Sequence, residues 1–145
     1  MGISQAEWEV MRVFWALGEA SSSQVIAVLN QKNNWSPSTV KTLIARLVEK
    51  GCLGSQRHGK KFLYRSLIEE DSALEEEVSD LFARICVRKH KTLLAELIQK
   101  TPMTRADIAS LERLLSSKKD KAVASVSCDC ILGQCTCSHH LEVSS

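Results

Sequence analysis

A chain of 145 residues allows one compact domain, or a small domain with an appendage, and 44% hydrophobic residues suffice to bury a core. Aromatic residues at 5% disfavour a large β-sandwich, and no apolar run approaches the ~20 residues that span a bilayer. The net charge of +2 is unevenly spread: residues 1–67 carry nine Lys/Arg against four Asp/Glu, residues 68–117 carry seven against ten, and the rest three of each. The N-terminal half is basic enough to meet a polyanion and the middle is not. Met1-Gly2-Ile3-Ser4-Gln5 has no charged segment ahead of an apolar one, so the chain reads as cytoplasmic with no membrane partner. In that reducing setting the six cysteines should be thiols or metal ligands.

Taken in order, residues 4–17 predict a helix. Ser4 caps it, with Glu7 as capping-box partner. Val10, Val13, Phe14 and Leu17 recur at helical spacing beside a second stripe of Trp8, Met11 and Trp15, so burial on more than one side is expected, and Gly18 ends the helix. A second helix follows Ser21-Ser22-Ser23 to about Lys32, with Val25, Ile26, Val28 and Leu29 inward. Ser36-Pro37 opens a third, the serine as N-cap and the proline at the first helical position, running to Lys50 before Gly51. Its buried stripe is Val40, Leu43, Ile44, Leu47 and Val48. Two strand-like runs, Leu53 to Arg57 and Lys61 to Leu67, are joined by His58-Gly59-Lys60. Three helices and a basic hairpin make the layout of a winged helix-turn-helix over residues 1–67.

Residues 68–117 read as purely helical. Leu74, Val78, Leu81, Phe82 and Ile85 follow at three- and four-residue steps. Leu93, Leu94, Leu97 and Ile98 mark a second segment, and Thr104 caps a last helix through Ile108, Leu111, Leu114 and Leu115. These segments are too few to bundle alone. They either pack back on the N-terminal domain or pair with a second chain, and pairing is favoured because DNA readers of this size commonly bind two half-sites as dimers. Ser116 to Lys121 reads as a polar linker, leaving residues 118–145 as linker and tail. The predicted fold class is thus mainly α with a β-hairpin wing: a winged helix, a helical dimerisation region and a cysteine-rich tail.

The exposed face of the third helix carries Ser38, Thr39, Lys41, Thr42, Ala45 and Arg46. A major groove admits one helix, read from its N-terminal half, and short hydroxyls permit close approach. Lys41 and Arg46 can reach guanine edges or phosphates. Arg57, Lys60 and Lys61 on the hairpin suit backbone phosphates, which position a domain without reading sequence.

The tail holds Cys128, Cys130, Cys135 and Cys137 in the pattern C-x-C-x4-C-x-C. In extended backbone each C-x-C pair sets both sulfurs on one side, and Ile131-Leu132-Gly133-Gln134 can reverse the chain. Four converging thiolates select soft or borderline ions such as Cu(I) and Zn(II); a disulfide-linked tail or a chance cluster is the alternative. Cys52 and Cys86 sit in apolar contexts as core fillers. His139 and His140 read as part of a solvated tail, and His58 and His90 as exposed residues without a role. No glycine-rich phosphate loop, H-E-x-x-H or nucleophile–base–carboxylate set is present, which argues against an enzyme.

The residues from Ile3 to Arg12 (ISQAEWEVMR), those from Ser38 to Leu47 (STVKTLIARL), Lys50-Gly51 and the cysteine motif together resemble the CopY-type copper-responsive repressors of the penicillinase-repressor family. The resemblance covers nearly the whole chain, and the four tail cysteines match the motif one for one. It implies a homodimer on an inverted-repeat operator upstream of copper-export genes, with Zn(II) in the tail supporting the DNA-bound form. Two Cu(I) ions per tail, held by bridging thiolates, would displace Zn(II) and release the DNA. A copper chaperone delivering Cu(I) is a further partner consistent with that role. A β-lactam-type repressor with an incidental thiol tail is the main alternative, and the cysteine motif is what separates that branch, which ends without it, from the copper-responsive one.

Overall fold

The computed structural model describes residues 2–137, which divide into two compact units, Met1–Glu77 and Val78–Ser145. In the first, α1 (Gln5–Leu17) starts where Ser4 accepts the Glu7 amide through its hydroxyl, at 3.1 Å. The Ser4 hydroxyl and backbone N–H both donate back to the Glu7 carboxylate, as a capping partner should receive them. Glu7 is also buried, accepting from the Ser4 hydroxyl at 3.0 Å and from the Lys50 ammonium at 2.7 Å and 2.8 Å. The capping carboxylate is thus also the anchor between the first helix and the end of the third.

Burial by itself would push the Glu7 carboxyl up. The Lys50 ammonium and the Ser4 hydroxyl overcome this and hold it below the ordinary carboxylate range. A carboxyl depressed by folding stabilises the protein in full above its unfolded pKa of about 4.3, and that stability is lost as the pH falls through the lower folded value. Glu7→Gln is expected to cost about 1–3 kcal/mol at neutral pH and to flatten the acid side of a urea-melt series. An unchanged slope would remove Glu7 from the acid response.

α2 (Ser22–Leu29) carries a full capping box between Ser21 and Gln24, and α3 (Pro37–Glu49) starts at the Ser36 cap with proline in its first turn. The wing is β2 (Leu53–His58) against β3 (Lys61–Ser66), antiparallel with His58 opposite Lys61. The loop is therefore two residues, shorter than expected, and Gly59 at φ 63° takes the left-handed position such a turn requires. A third strand, β1 (Glu19–Ala20), pairs Ala20 with Tyr64 on the other edge of β3, giving the order β1-β3-β2. Two residues cannot show an alternating pattern, so the sequence carried no sign of it.

The core of this unit is Val10, Met11, Val13, Phe14, Ala20, Val25, Leu29, Val40, Leu43, Ile44, Leu47, Cys52 and Leu53. Trp15 is half-buried. Its indole N–H donates to the Ser66 hydroxyl and the Ile68 carbonyl, both at 3.1 Å, pinning α1 to the end of the wing. Leu17 and Val28, expected inward, are exposed and line an open groove between α1 and α2 with Glu9, Arg12 and Lys32. Val28 lies at the edge of the arc that α2 presents to the core, and Leu17 is on the inward arc of α1 but is its last residue, beyond the packed turns.

α4 (Glu70–Ala83) buries only Ala73, beside Ile3 and Trp8. In the second unit a 3-10 turn (Val87–Lys89) leads into α5 (His90–Lys100), and α6 (Arg105–Lys119) opens on a capping box between Thr104 and Asp107. α6 runs through Ser116-Ser117-Lys118-Lys119, so most of the expected linker is helix; lysines in a last turn suit the negative end of the helix dipole. No side chain of α5 or α6 is buried, and Leu94, Leu97, Ile98, Ile108, Leu114 and Leu115 are exposed. His90 is half-buried, not the exposed residue expected. Its Nε2 lies 2.9 Å from the Phe82 carbonyl oxygen and 3.0 Å from that of Ile85, so this nitrogen carries the proton, and the ring stacks edge-on against Phe82. Among the described residues no helix is long and apolar enough to cross a membrane.

Candidate nucleic-acid interface and thiol cluster

The stripe Val40, Leu43, Ile44 and Leu47 turns inward, which leaves Ser38, Thr39, Lys41, Thr42, Ala45 and Arg46 exposed on one face of α3. The hydroxyls at its start are pre-ordered. Ser36 Oγ lies 3.0 Å from Ser38 Oγ and 2.9 Å from Thr39 Oγ1, and it accepts the Thr39 amide at 3.2 Å. Thr42 donates its hydroxyl to the Ser38 carbonyl at 2.8 Å, so towards a groove it offers lone pairs and its methyl group. The Lys41 and Arg46 side chains have no hydrogen-bond or ion-pair partner among the described residues.

On the wing, Arg57, Lys60 and Lys61 are all exposed around the turn. Arg57 is partly committed within the hairpin. Its Nε donates to the Gly59 carbonyl at 3.0 Å and its guanidinium lies 5.9 Å from the centre of the Phe62 ring. That bracing stiffens the tip that carries Lys60 and Lys61.

The tail makes the expected reversal. Gln134 N–H donates to the Ile131 carbonyl at 3.1 Å, with Gly133 at φ 95°. The thiol that completes the cluster was not expected. Cys86, Cys128, Cys135 and Cys137 have their Sγ atoms within 4.8 Å of one another. Cys86 lies 3.5 Å from Cys128 and 3.7 Å from Cys137, and Cys128 lies 3.3 Å from Cys135. A tetrahedral Zn(II) with bonds of about 2.3 Å places its sulfurs about 3.8 Å apart, so this quartet fits a soft ion with small adjustments. Cys130 lies outside the quartet, grouped with Cys128 and Asp129. Its amide donates to Cys128 Sγ at 3.3 Å, and its thiol keeps hydrogen bonds to Cys128, Cys86 and Cys135.

The thiols divide electrostatically. The Arg88 amide, followed by neighbouring thiols, lowers Cys86 to about 7, and the Cys137 amide lowers Cys135. Burial raises Cys128, and raises Cys137 to about 12; the neighbouring Cys128 thiol raises Cys130. Amide donors thus favour the thiolate form at Cys86 and Cys135, while burial and neighbouring thiols disfavour it at Cys128, Cys130 and Cys137. Cys52 is fully buried among core side chains, as a filler should be, and burial raises its pKa. Cys86, expected to be another, is 8% exposed but faces sulfur. Its only sequence sign was its residue type, because a cluster drawn from positions 42 or more residues apart has no local spacing. His139 and His140 lie outside the described residues.

Residues 3–117 match the model of the penicillinase repressor family. The chain belongs to that family. It is therefore a DNA-binding transcriptional repressor and not an enzyme. Among its family relatives, an uncharacterized 16.5 kDa protein of Latilactobacillus sakei is 41% identical over 93% of this chain and 92% of its own. The methicillin resistance regulatory protein MecI of Staphylococcus aureus is 31% identical over 80% of this chain and 94% of its own. Of solved structures, that of the CopR repressor is 48% identical, covering 48% of this chain and all of that one, with a TM-score of 0.41. The family match ends at residue 117, so every tail thiol lies beyond it.

Proposed function

We propose that this protein is a cytoplasmic, homodimeric, copper-responsive repressor whose Zn(II)-loaded form holds an inverted-repeat operator and whose Cu(I)-loaded form leaves it, inducing copper export. The observation that carries the reading is the sulfur quartet, four Sγ atoms within 4.8 Å. Support for pairing comes from the apolar residues that α5 and α6 leave exposed, which a second copy of the same helices would cover.

The exchange follows from coordination chemistry. Zn(II) takes four sulfurs in a tetrahedron, whereas Cu(I) accepts two or three and tolerates sulfurs shared between ions. Replacing one ion by two reshapes the tail using thiols already gathered there. Release then requires that the two metal forms differ in free energy between bound and free dimer; a tenfold change in affinity needs about 1.4 kcal/mol of coupling. In a gel shift with a specific operator fragment, Cu(I) should abolish the complex and Zn(II) should preserve it. A complex indifferent to Cu(I) favours the second reading, a β-lactam-type repressor with an incidental tail, to which the MecI relative lends weight.

Reading of the operator is assigned to Ser38, Thr39, Lys41, Thr42 and Arg46, and phosphate contact to Arg57, Lys60 and Lys61. Arg46→Ala is expected to weaken binding by about 1–3 kcal/mol at fixed salt. Lys60→Ala should weaken it evenly across sequences and reduce the salt slope by about one. Unchanged affinity for Arg46→Ala would count against a groove role for α3.

A further inference from the structure

We infer that Cys86 is a metal ligand, so that the first-filled soft-ion site is Cys86, Cys128, Cys135 and Cys137, with Cys130 outside it. The inference rests on the metal-binding reading above and changes both its ligand set and its consequence. A site made of tail thiols alone would close a loop within the tail. A site that includes Cys86 fastens the tail to the junction between α4 and α5.

The junction is built to hold a ligand in place. The Arg84 amide donates to the Leu81 carbonyl and the Ile85 amide to that of Phe82, closing the end of α4. The Lys89 amide donates to the Cys86 carbonyl, and the His90 ring ties the carbonyls of Phe82 and Ile85 together. Cys86 is therefore held on both sides by backbone hydrogen bonds and is 8% exposed, with its Sγ against Cys128 and Cys137. A depression next to it is lined by Ala83, Arg84 and Ile85 on one side and by Asp129, Cys130, Ile131 and Gln134 on the other. A thiol on a rigid junction loses little freedom on coordination, whereas the tail thiols must be ordered. Five thiols around one tetrahedral ion leave one over. Cys130, outside the quartet yet hydrogen-bonded to three of its members, is available when two Cu(I) ions replace one Zn(II). Ion exchange would then act on the α4–α5 junction itself.

The test uses reduced full-length protein under anaerobic conditions, without DNA. Thiolate-to-Cd(II) charge-transfer absorbance at one equivalent scales with the number of bound sulfurs. Cys86→Ser is expected to lower it by about a quarter, or, if Cys130 moves in, to keep the intensity and lose about tenfold or more in Cd(II) affinity against a chelator. Cys130→Ser and Cys52→Ala are expected to match wild type in both readings. A second measurement needs no variant: Zn(II) loading of wild-type protein should slow alkylation of Cys86 about tenfold or more relative to the stripped protein, while Cys52 stays unchanged. A Cys86→Ser protein equal to wild type in intensity and affinity, or a Cys86 alkylation rate indifferent to Zn(II), overturns the assignment. Failure of the copper-repressor reading is separately visible, as an operator complex that Cu(I) does not dissociate while the sulfur count stands.

Discussion

The combined substitution Cys128→Ser, Cys130→Ser, Cys135→Ser and Cys137→Ser is expected to leave a repressor that Cu(I) no longer lifts from its operator. In intact protein, Cu(I) should reduce operator affinity about tenfold or more, equivalent to about 1.4 kcal/mol of coupling; in the variant the change should be less than about twofold. The physical ground is that an ion can shift an equilibrium only by its differential affinity for the two states. Hydroxyls in place of thiolates leave neither Zn(II) nor Cu(I) a soft ligand set, since Cys86 alone remains of the quartet and Cys52 is buried in the N-terminal core. The winged helix should be untouched, because its core and the exposed face of α3 lie within the first unit. Basal operator binding is thus the internal control. Release by Cu(I) with an intact dose response in the variant would sink the proposed mechanism.

The second large effect is on folding. Phe14 is fully buried at the centre of the N-terminal core and meets Tyr64 of β3 edge-on, with ring centres 6.4 Å apart. Phe14→Ala should cost about 3–5 kcal/mol in lost transfer energy and cavity formation. Small domains are stable by about 5–15 kcal/mol in total, so the variant is expected to sit near its unfolding midpoint and to lose operator binding for that reason. Urea melts followed by tryptophan fluorescence provide the measurement, since Trp8 and Trp15 stack edge-on 5.3 Å apart beside the same core. A loss under about 1 kcal/mol would mean that the surrounding side chains collapse into the space.

Those two predictions draw on different kinds of information. The Phe14 environment was legible in the sequence: Val10, Val13 and Phe14 repeat at helical spacing, Ser4 and Ser36 supply caps, and Gly18 and Gly51 follow the helix ends. The inward face of α3 was legible on the same ground, with Val40, Leu43, Ile44 and Leu47 buried and the hydroxylic, basic positions left outside. Turn chemistry worked equally well at Gly59 and Gly133, each of which takes the positive φ its turn needs. Signals of this kind are local. Helical period, caps and turns depend on residues three or four apart, and the chain carries them wherever it goes.

Local period overreached at the edge of a face and at a helix end. It placed Val28 and Leu17 in the core, where the packing of α1, α2 and α3 left both outside, and it gave no sign that Lys50 would be drawn onto the capping Glu7. Strand β1 exists only because β3 offers it a free edge. In α4 to α6 the apolar periodicity marked the helices correctly and still did not bury them, since burial needs a partner surface that the helices cannot supply from their own sequence.

Composition, spacing and caps alone determined the winged-helix layout, the exposed hydroxylic and basic face of α3 and a tail dense in thiols. Only the tertiary structure decided which sulfurs meet. Cys86 and Cys128 are 42 positions apart, yet their Sγ atoms lie at 3.5 Å, while Cys130, two residues from Cys128, falls outside the quartet. Adjacency in a sulfur cluster is set by how the α4–α5 junction and the tail turn present their side chains in space, and chain spacing does not encode it.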